Sequence, residues 1–426
     1  MLSKFNIDKK RLISNFFSLS SVEAANYLFP LITLPYLVRV LGPEKYGLIN
    51  FAAAFIYYFV LLTDYGFNLS ATREISINRE DKRKVLSIFN SVMFVKFVLM
   101  VVSLIIMLAM VFSIPKFRQD WLIYIGTFGM VLGNVLFPIW LFQGMEKMKL
   151  VALLNLLAKF IFVIAIFIFV RKQSDYIYVP LITSLGFMTA GVISLVIAAR
   201  RFGIIFRMPA GKDCTSSLKE GWHVFISTVS VSLYTSSNAF ILGLFTNNTI
   251  VGYYSASERI IRSGQRLINP ISQTLYPHIS KLVADSKEKA AYFIKKVIVV
   301  FGGVGFAASI LLFALAAPIV NIILGNQFEQ SIIVLKILAF LPFMDALSNI
   351  FGIQTMLTFN MKEALSRIYI SGGILSIILA LILVPLWKHV GTAMAALITE
   401  TYISLAMFAF IHKKGILYAK RQVRQH

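Results

Sequence analysis

Residues 85–112 read VLSIFNSVMFVKFVLMVVSLIIMLAMVF, 28 positions in which Lys96 is the single charge. An amphipathic helix of a soluble domain carries a polar face, and this stretch has none. At 1.5 Å rise per residue, about 20 apolar residues cross a hydrocarbon layer about 30 Å thick, so the stretch predicts a membrane-spanning helix. Working outward, apolar stretches bounded by charges or turn residues fall at 13–38, 46–66, 85–112, 121–143, 150–170, 177–199, 222–245, 249–277, 293–317, 330–357, 366–387 and 390–411. These are twelve candidate spans, and they leave little of the 426 residues for a soluble domain. The stretch 249–277 is interrupted by Arg259, Arg262 and Arg266.

Composition agrees with lipid as the main solvent. Apolar residues make up 58% of the chain and charged residues only 14%, with a mean hydropathy of +0.78. A soluble domain carries about 25% charged residues, and a disordered chain is poor in large apolar ones, so both classes are excluded. The net charge of +22, from 41 Lys and Arg against 19 Asp and Glu, would suggest nucleic acid in a soluble protein. Here 28 of those 41 fall at the two termini and in the loops near 67–84, 144–149, 200–219, 281–296 and 358–367, against seven in the alternate loops. That is the positive-inside pattern, and it predicts that both termini are cytoplasmic and that the partners are membrane lipids, not nucleic acid. The basic stretch Lys4 to Arg11 leads into an apolar segment without a small-residue cleavage site, so this segment reads as the first permanent span. Cys214 is the only cysteine, which precludes an intramolecular disulfide.

The chain also resembles itself. LGPEKYGLINFAA at 41–53 and TNNTIVGYYSAS at 246–257 each follow an odd-numbered span. Gln143, Met145 and Lys147-Met148-Lys149 recur as Gln354, Met356 and Asn360-Met361-Lys362, an offset near half the chain. The expected architecture is an all-α membrane protein of about twelve helices: an N-terminal six-helix lobe at 1–207, a cytoplasmic linker at 208–217 and a C-terminal lobe at 218–426. Six is even, so both lobes enter the membrane from one side, as in parallel-repeat transporters.

A charge at the bilayer centre costs about 2.5 to 3.5 kcal/mol on insertion scales, so such residues face protein or a watery cavity. Eight lie well inside spans: Glu23, Lys96, Lys159, Arg259, Arg262, Arg266, Asp345 and Glu400. Arg259, Arg262 and Arg266 are spaced i, i+3 and i+7, one face of a helix. A guanidinium fork suits a diphosphate, so the stripe is a candidate substrate-binding surface; the alternative is a structural network in which Glu258 pairs with Arg262 at i, i+4. Lys159 and Lys96 are further candidates for an anionic headgroup, or else paired structural lysines. Glu23, Asp345 and Glu400 either bind a coupling proton or sodium ion or balance neighbouring cations. Tyr27, Tyr234 and Tyr254 are candidates to stack on sugar rings. His223 has no second histidine nearby to suggest a metal site, and no Gly-rich phosphate loop suggests an ATPase. No constellation for covalent catalysis and no need for a cofactor emerges.

The run Pro30, Pro35-Tyr36-Leu37, Leu41 to Gly47 and then DYGFNLSATRE at 64–74 resembles the Wzx-type O-antigen flippases. These form the polysaccharide transporter branch of the superfamily that also holds multidrug and toxin extruders and the lipid II flippase. SERIIR at 257–262 and QTLYP at 273–277 are similar to the family's eighth-span pattern. The resemblance implies a non-enzymatic inner-membrane flippase that moves an undecaprenyl-diphosphate-linked oligosaccharide, of O-antigen or a similar surface polysaccharide, to the periplasmic leaflet by alternating access. It also implies a functional link to the polysaccharide polymerase machinery. A cation-coupled drug extruder of the same superfamily is the alternative; it would favour an anionic cavity, against the surplus of cations here.

Overall fold

The computed structural model describes the backbone of residues 2–265 and 268–416, and the side chains there except at 2–31, 149–152, 227, 230, 233–235, 268–271 and 273. Among these residues the chain is helical, without strands. The helices are α1 (Leu2–Asp64), α2 (Phe67–Ile77), α3 (Lys82–Ser113), α4 (Pro115–Arg118), α5 (Trp121–Leu136), α6 (Ile139–Gly144), α7 (Met148–Phe169) and α8 (Tyr178–Phe202). They continue as α9 (Gly211–Ser236), α10 (Asn238–Phe245), α11 (Asn248–Gln265), α12 (Ile268–Asp285), α13 (Lys287–Ala314), α14 (Ala316–Ile319), α15 (Ser331–Leu338), α16 (Leu341–Asn349) and α17 (Lys362–Lys413). A π-helical stretch, Ile350–Leu357, extends α16.

The two longest helices cannot each be one crossing. α1 has 63 residues, and a straight helix of that length would be about three times the hydrocarbon thickness. It breaks at Gly42, where φ is 69° and ψ 173°. Glycine adopts that conformation without a Cβ penalty, and the following Pro43 has no N–H to continue the ladder. α17, with 52 residues, breaks at Lys388 (φ 51°, ψ −126°). With each counted as two crossings, and α5–α6, α9–α10, α11–α12 and α15–α16 each as one interrupted crossing, the helices make the expected twelve spans. Seven helical stretches among the described residues are long and apolar enough on their own to cross a membrane. Their outward faces are apolar too: Ile105, Val192, Val299 and Val304 are all exposed, a surface suited to lipid. Asp81 caps α3 by accepting from Arg83 N and Lys84 N, and Ser286 caps α13 from Lys289 N.

The chain divides into two compact units, residues 1–229 and 230–426. α9 begins at Gly211, within the stretch expected as a linker, and the boundary between units falls inside this helix. In the first unit Phe67, Ile75, Phe89, Trp140 and Phe142 form a buried core; in the second, Ile294, Phe351, Met356, Ile403 and Met407 do so. The repeat is visible in local geometry. Glu146 (φ 55°) and Asn360 (φ 62°) occupy matching left-handed turns, with Lys147 N donating to Phe142 O and Met361 N to Met356 O, both at 2.8 Å. Gly203 and Gly415, both at positive φ, follow α8 and α17. The structural register at the first turn is 214 residues, slightly longer than residue identities alone suggest.

Candidate functional site

In the second unit α11 packs on α15, α16 and α17 and carries Glu258, Arg259 and Arg262. Ser257 Oγ donates to Ser331 O at 3.0 Å and Ser331 Oγ to Tyr253 O at 2.9 Å, which fixes the rotation of α11 against α15. That rotation turns Arg259 outward, where it is exposed, and turns Arg262 toward Glu258. Arg262 Nη2 and Nε donate to Glu258 Oε1 at 2.8 and 3.0 Å, so the i, i+4 pair foreseen from spacing is formed. Its side chain still keeps 41% exposure, so the guanidinium is held without being enclosed. Arg266 lies outside the described residues.

Two further carboxyl groups stand beside this pair. Asp345 on α16 is hydrogen-bonded to Glu400 on α17 and to Gln265, and its charge is felt at Arg262. Ser348 Oγ donates to Glu400 Oε1 at 2.7 Å. A hydrogen bond between two carboxyl groups requires a proton on one of them, because a carboxylate has no donor. The surroundings of Arg262 therefore hold one cation against Glu258 and an acid pair that shares a proton, so among the described residues they carry no surplus of positive charge. Tyr254 is fully buried and donates to Glu258 Oε1 at 3.3 Å, so its ring is not presented to a sugar; this corrects the stacking expectation. The side chains of Glu23, Tyr27 and Tyr234 lie outside the described residues.

The first unit buries Lys96, 1% exposed, on α3. Its Nζ meets Asp64 Oδ1 at 3.0 Å and Asn134 Oδ1 at 3.5 Å, while Asn68 Nδ2 donates to Asp64 Oδ2 at 2.6 Å. Lys159, on α7, is half-buried. The DYGFN run thus has a physical meaning. Asp64 anchors Lys96, and Tyr65 (φ 43°) and Gly66 (φ 76°) turn the chain into α2. α9 rests directly on that turn: the Tyr65 and Phe225 rings stack at 4.8 Å. A β-carbon on Gly66 would stand 2.8 Å from Val224 Cβ, and one on Gly221 2.7 Å from Tyr65 O. Sequence reading missed a second acid pair, Glu74 of α2 and Glu220 of α9, which share a hydrogen bond. α2 lies beyond the second span, and burial, then that bond to Glu220, push the Glu74 carboxyl up to about 7. No spacing rule links residues so far apart.

Residues 12–283 match the family described as polysaccharide biosynthesis protein. The chain is 38% identical over 412 residues to an Escherichia coli (strain K12) protein named "Putative O-antigen transporter", covering 97% of this chain and 99% of that one. A Shigella dysenteriae protein of the same name is 30% identical over 398 residues, covering 92% and 98%. Among solved structures, the lipid II flippase MurJ in an inward closed conformation matches with a TM-score of 0.68 at 13% identity, over 95% of this chain and 88% of that one. An inward-facing multidrug MATE family transporter matches with a TM-score of 0.70 at 15% identity, over 93% and 96%. At such identities these two show a shared fold alone.

Proposed function

Because the chain belongs to the polysaccharide biosynthesis protein family, we propose that it flips a lipid-linked polysaccharide repeat unit across the bacterial inner membrane. The observation that carries this reading is near full-length similarity to relatives named as O-antigen transporters, on a fold of membrane helices throughout. The physical need is plain: a diphosphate with several sugars does not cross about 30 Å of hydrocarbon unaided. The carrier lipid is undecaprenyl diphosphate, moved from the cytoplasmic to the periplasmic leaflet by alternating access.

Arg262 is the diphosphate ligand of this proposal, with Arg259, Arg266, Lys159 and Lys96 as further cations along the path. Glu258 holds the guanidinium plane, so an arriving phosphate meets a pre-oriented fork. Asp345 and Glu400 carry the coupling ion, and their mutual hydrogen bond favours a proton over sodium; Glu23 is the third candidate. Lys96, paired with Asp64, supports the first unit more directly than it serves the cargo.

The test is deletion of the gene. The expected result is accumulation of undecaprenyl-diphosphate-linked repeats on the cytoplasmic leaflet and loss of surface polysaccharide, both reversed by the wild-type gene. Intact surface polysaccharide with altered sensitivity to cationic drugs would assign the chain to drug extrusion instead.

A further inference from the structure

The first unit holds a cavity of about 570 Å³ between α2 and the first half of α9. Its wall on α2 is striped: Leu69, Arg73 and Ile77 follow one another at i, i+4, i+8, while Phe67, Ala71 and Ile75 point into the core. Leu69 and Ile77 are 67% and 70% exposed, so two aliphatic side chains flank a cation on an open face. α2 starts directly after the second span ends at Asp64, which sets this face at the membrane boundary. Trp222 on the adjoining helix is also exposed, as tryptophans are at the headgroup level. Glu74 and Glu220 complete the cavity. Below about pH 7 their shared hydrogen bond holds one proton and leaves the pair one negative charge, beside the positive charge of Arg73.

A site with one cation, one shared anion and aliphatic flanks selects among membrane ligands. A purely anionic headgroup satisfies Arg73 but meets the carboxyl pair with like charge. A choline headgroup has no N–H to give to that pair. An ethanolamine headgroup supplies a phosphate for the guanidinium and an ammonium with three donors for the carboxyls, a net-neutral ligand for a net-neutral site. We propose that the α2–α9 cavity binds an ethanolamine phospholipid, its phosphate on Arg73, its ammonium on Glu74 and Glu220, and its acyl chains over Leu69 and Ile77. A lipid so held bridges α2 and α9 beside the Tyr65–Gly66 turn. The inference is independent of the cargo and of its direction.

The experiment is native mass spectrometry of the full-length protein released from nanodiscs made with equal phosphatidylethanolamine, phosphatidylcholine and phosphatidylglycerol. Wild type is expected to retain the ethanolamine lipid about tenfold over choline lipid, the factor that one lost charge-assisted hydrogen bond of ordinary strength gives. Glu74→Gln/Glu220→Gln is expected to bring that preference to within about twofold, and Arg73→Ala to weaken retention of all three lipids. Should the double variant fail to fold, Glu74→Gln alone, whose amide still bonds Glu220, is expected to lower the preference. Equal retention of the three lipids by wild type, or an unchanged preference in the carboxamide variants, overturns the proposal. Displacement of the lipid by an undecaprenyl-diphosphate oligosaccharide also overturns it and gives the cavity to the cargo.

Discussion

Lys96 Nζ, with Asp64 Oδ1 at 3.0 Å, is an ion that the surrounding apolar side chains tolerate only because it is paired. Replacing it with methionine fills the volume but strands Asp64, and leaving one buried partner uncompensated costs about 3 to 5 kcal/mol. Lys96→Met is therefore expected to lower the thermal unfolding midpoint in detergent, and Lys96→Met/Asp64→Asn to recover most of the loss. A double variant that is stable yet fails to complement a flippase-null strain would instead make Lys96 a cargo ligand. Arg262→Lys keeps a charge but loses the fork, so complementation is expected to fail at normal membrane abundance; full activity would remove diphosphate recognition from this residue. Glu74 adds a pH term whose sign is fixed by its raised value. Between the ordinary 4.5 and about 7 the folded chain holds a proton that the unfolded chain releases, so this group's contribution to stability falls as pH rises across that window. Unfolding midpoints of wild type and Glu220→Gln measured from pH 5 to 8 are expected to differ in slope there. The Arg262–Glu258 pair was legible because both residues sit on one helix at i, i+4. Lys96 with Asp64 and Glu74 with Glu220 were not, because the partners come from different helices and only the fold brings them together.

At the scale of elements, the Asp64–Glu74 run is recognisable as a motif, yet nothing in its letters says that α9 docks there. Two glycines make that docking possible. Gly221 lies inside α9, where alanine would ordinarily gain about 1 kcal/mol of helix propensity. Its β-carbon, however, would stand 2.7 Å from the carbonyl of Tyr65, a backbone atom in a turn fixed by the Tyr65–Phe225 stack. The clash outweighs the propensity, so Gly221→Ala is expected to lower the unfolding midpoint and membrane abundance. Gly66→Ala is expected to do more harm, since it adds left-handed strain at φ 76° to contacts of 2.8 and 2.9 Å. A neutral or stabilising Gly221→Ala would mean that α9 shifts freely over the turn. The spans themselves were legible from apolar runs and turn residues, including the breaks: Gly42-Pro43 divides α1 where the chain was expected to turn back. The π-helical stretch Ile350–Leu357 was not legible; Gln354 within it donates from Nε2 to Ser272 Oγ at 2.8 Å and Ser272 O at 3.0 Å, contacts made across helices.

For the whole molecule, the duplication and the charge alternation carry different information. The matched turns at Glu146 and Asn360 and the glycines at 203 and 415 repeat local geometry in each unit, and local geometry carries nothing about the side from which the crossings start. Orientation rests on Lys and Arg placement, because cationic loops resist translocation and meet anionic lipid on the cytoplasmic side. Ser174, exposed between α7 and α8, and Glu288, exposed at the start of α13, are separated by three crossings and so must face opposite sides. Cys214 is the only native thiol, so a Cys214→Ser background permits single-cysteine labelling. A membrane-impermeant maleimide is expected to label Ser174→Cys in intact spheroplasts and Glu288→Cys only after permeabilisation. The reverse pattern would invert the assigned orientation and, with it, the leaflet from which the proposed cargo is loaded. Labelling of both sites from outside would break the odd count of crossings between them and therefore the twelve-span arrangement itself.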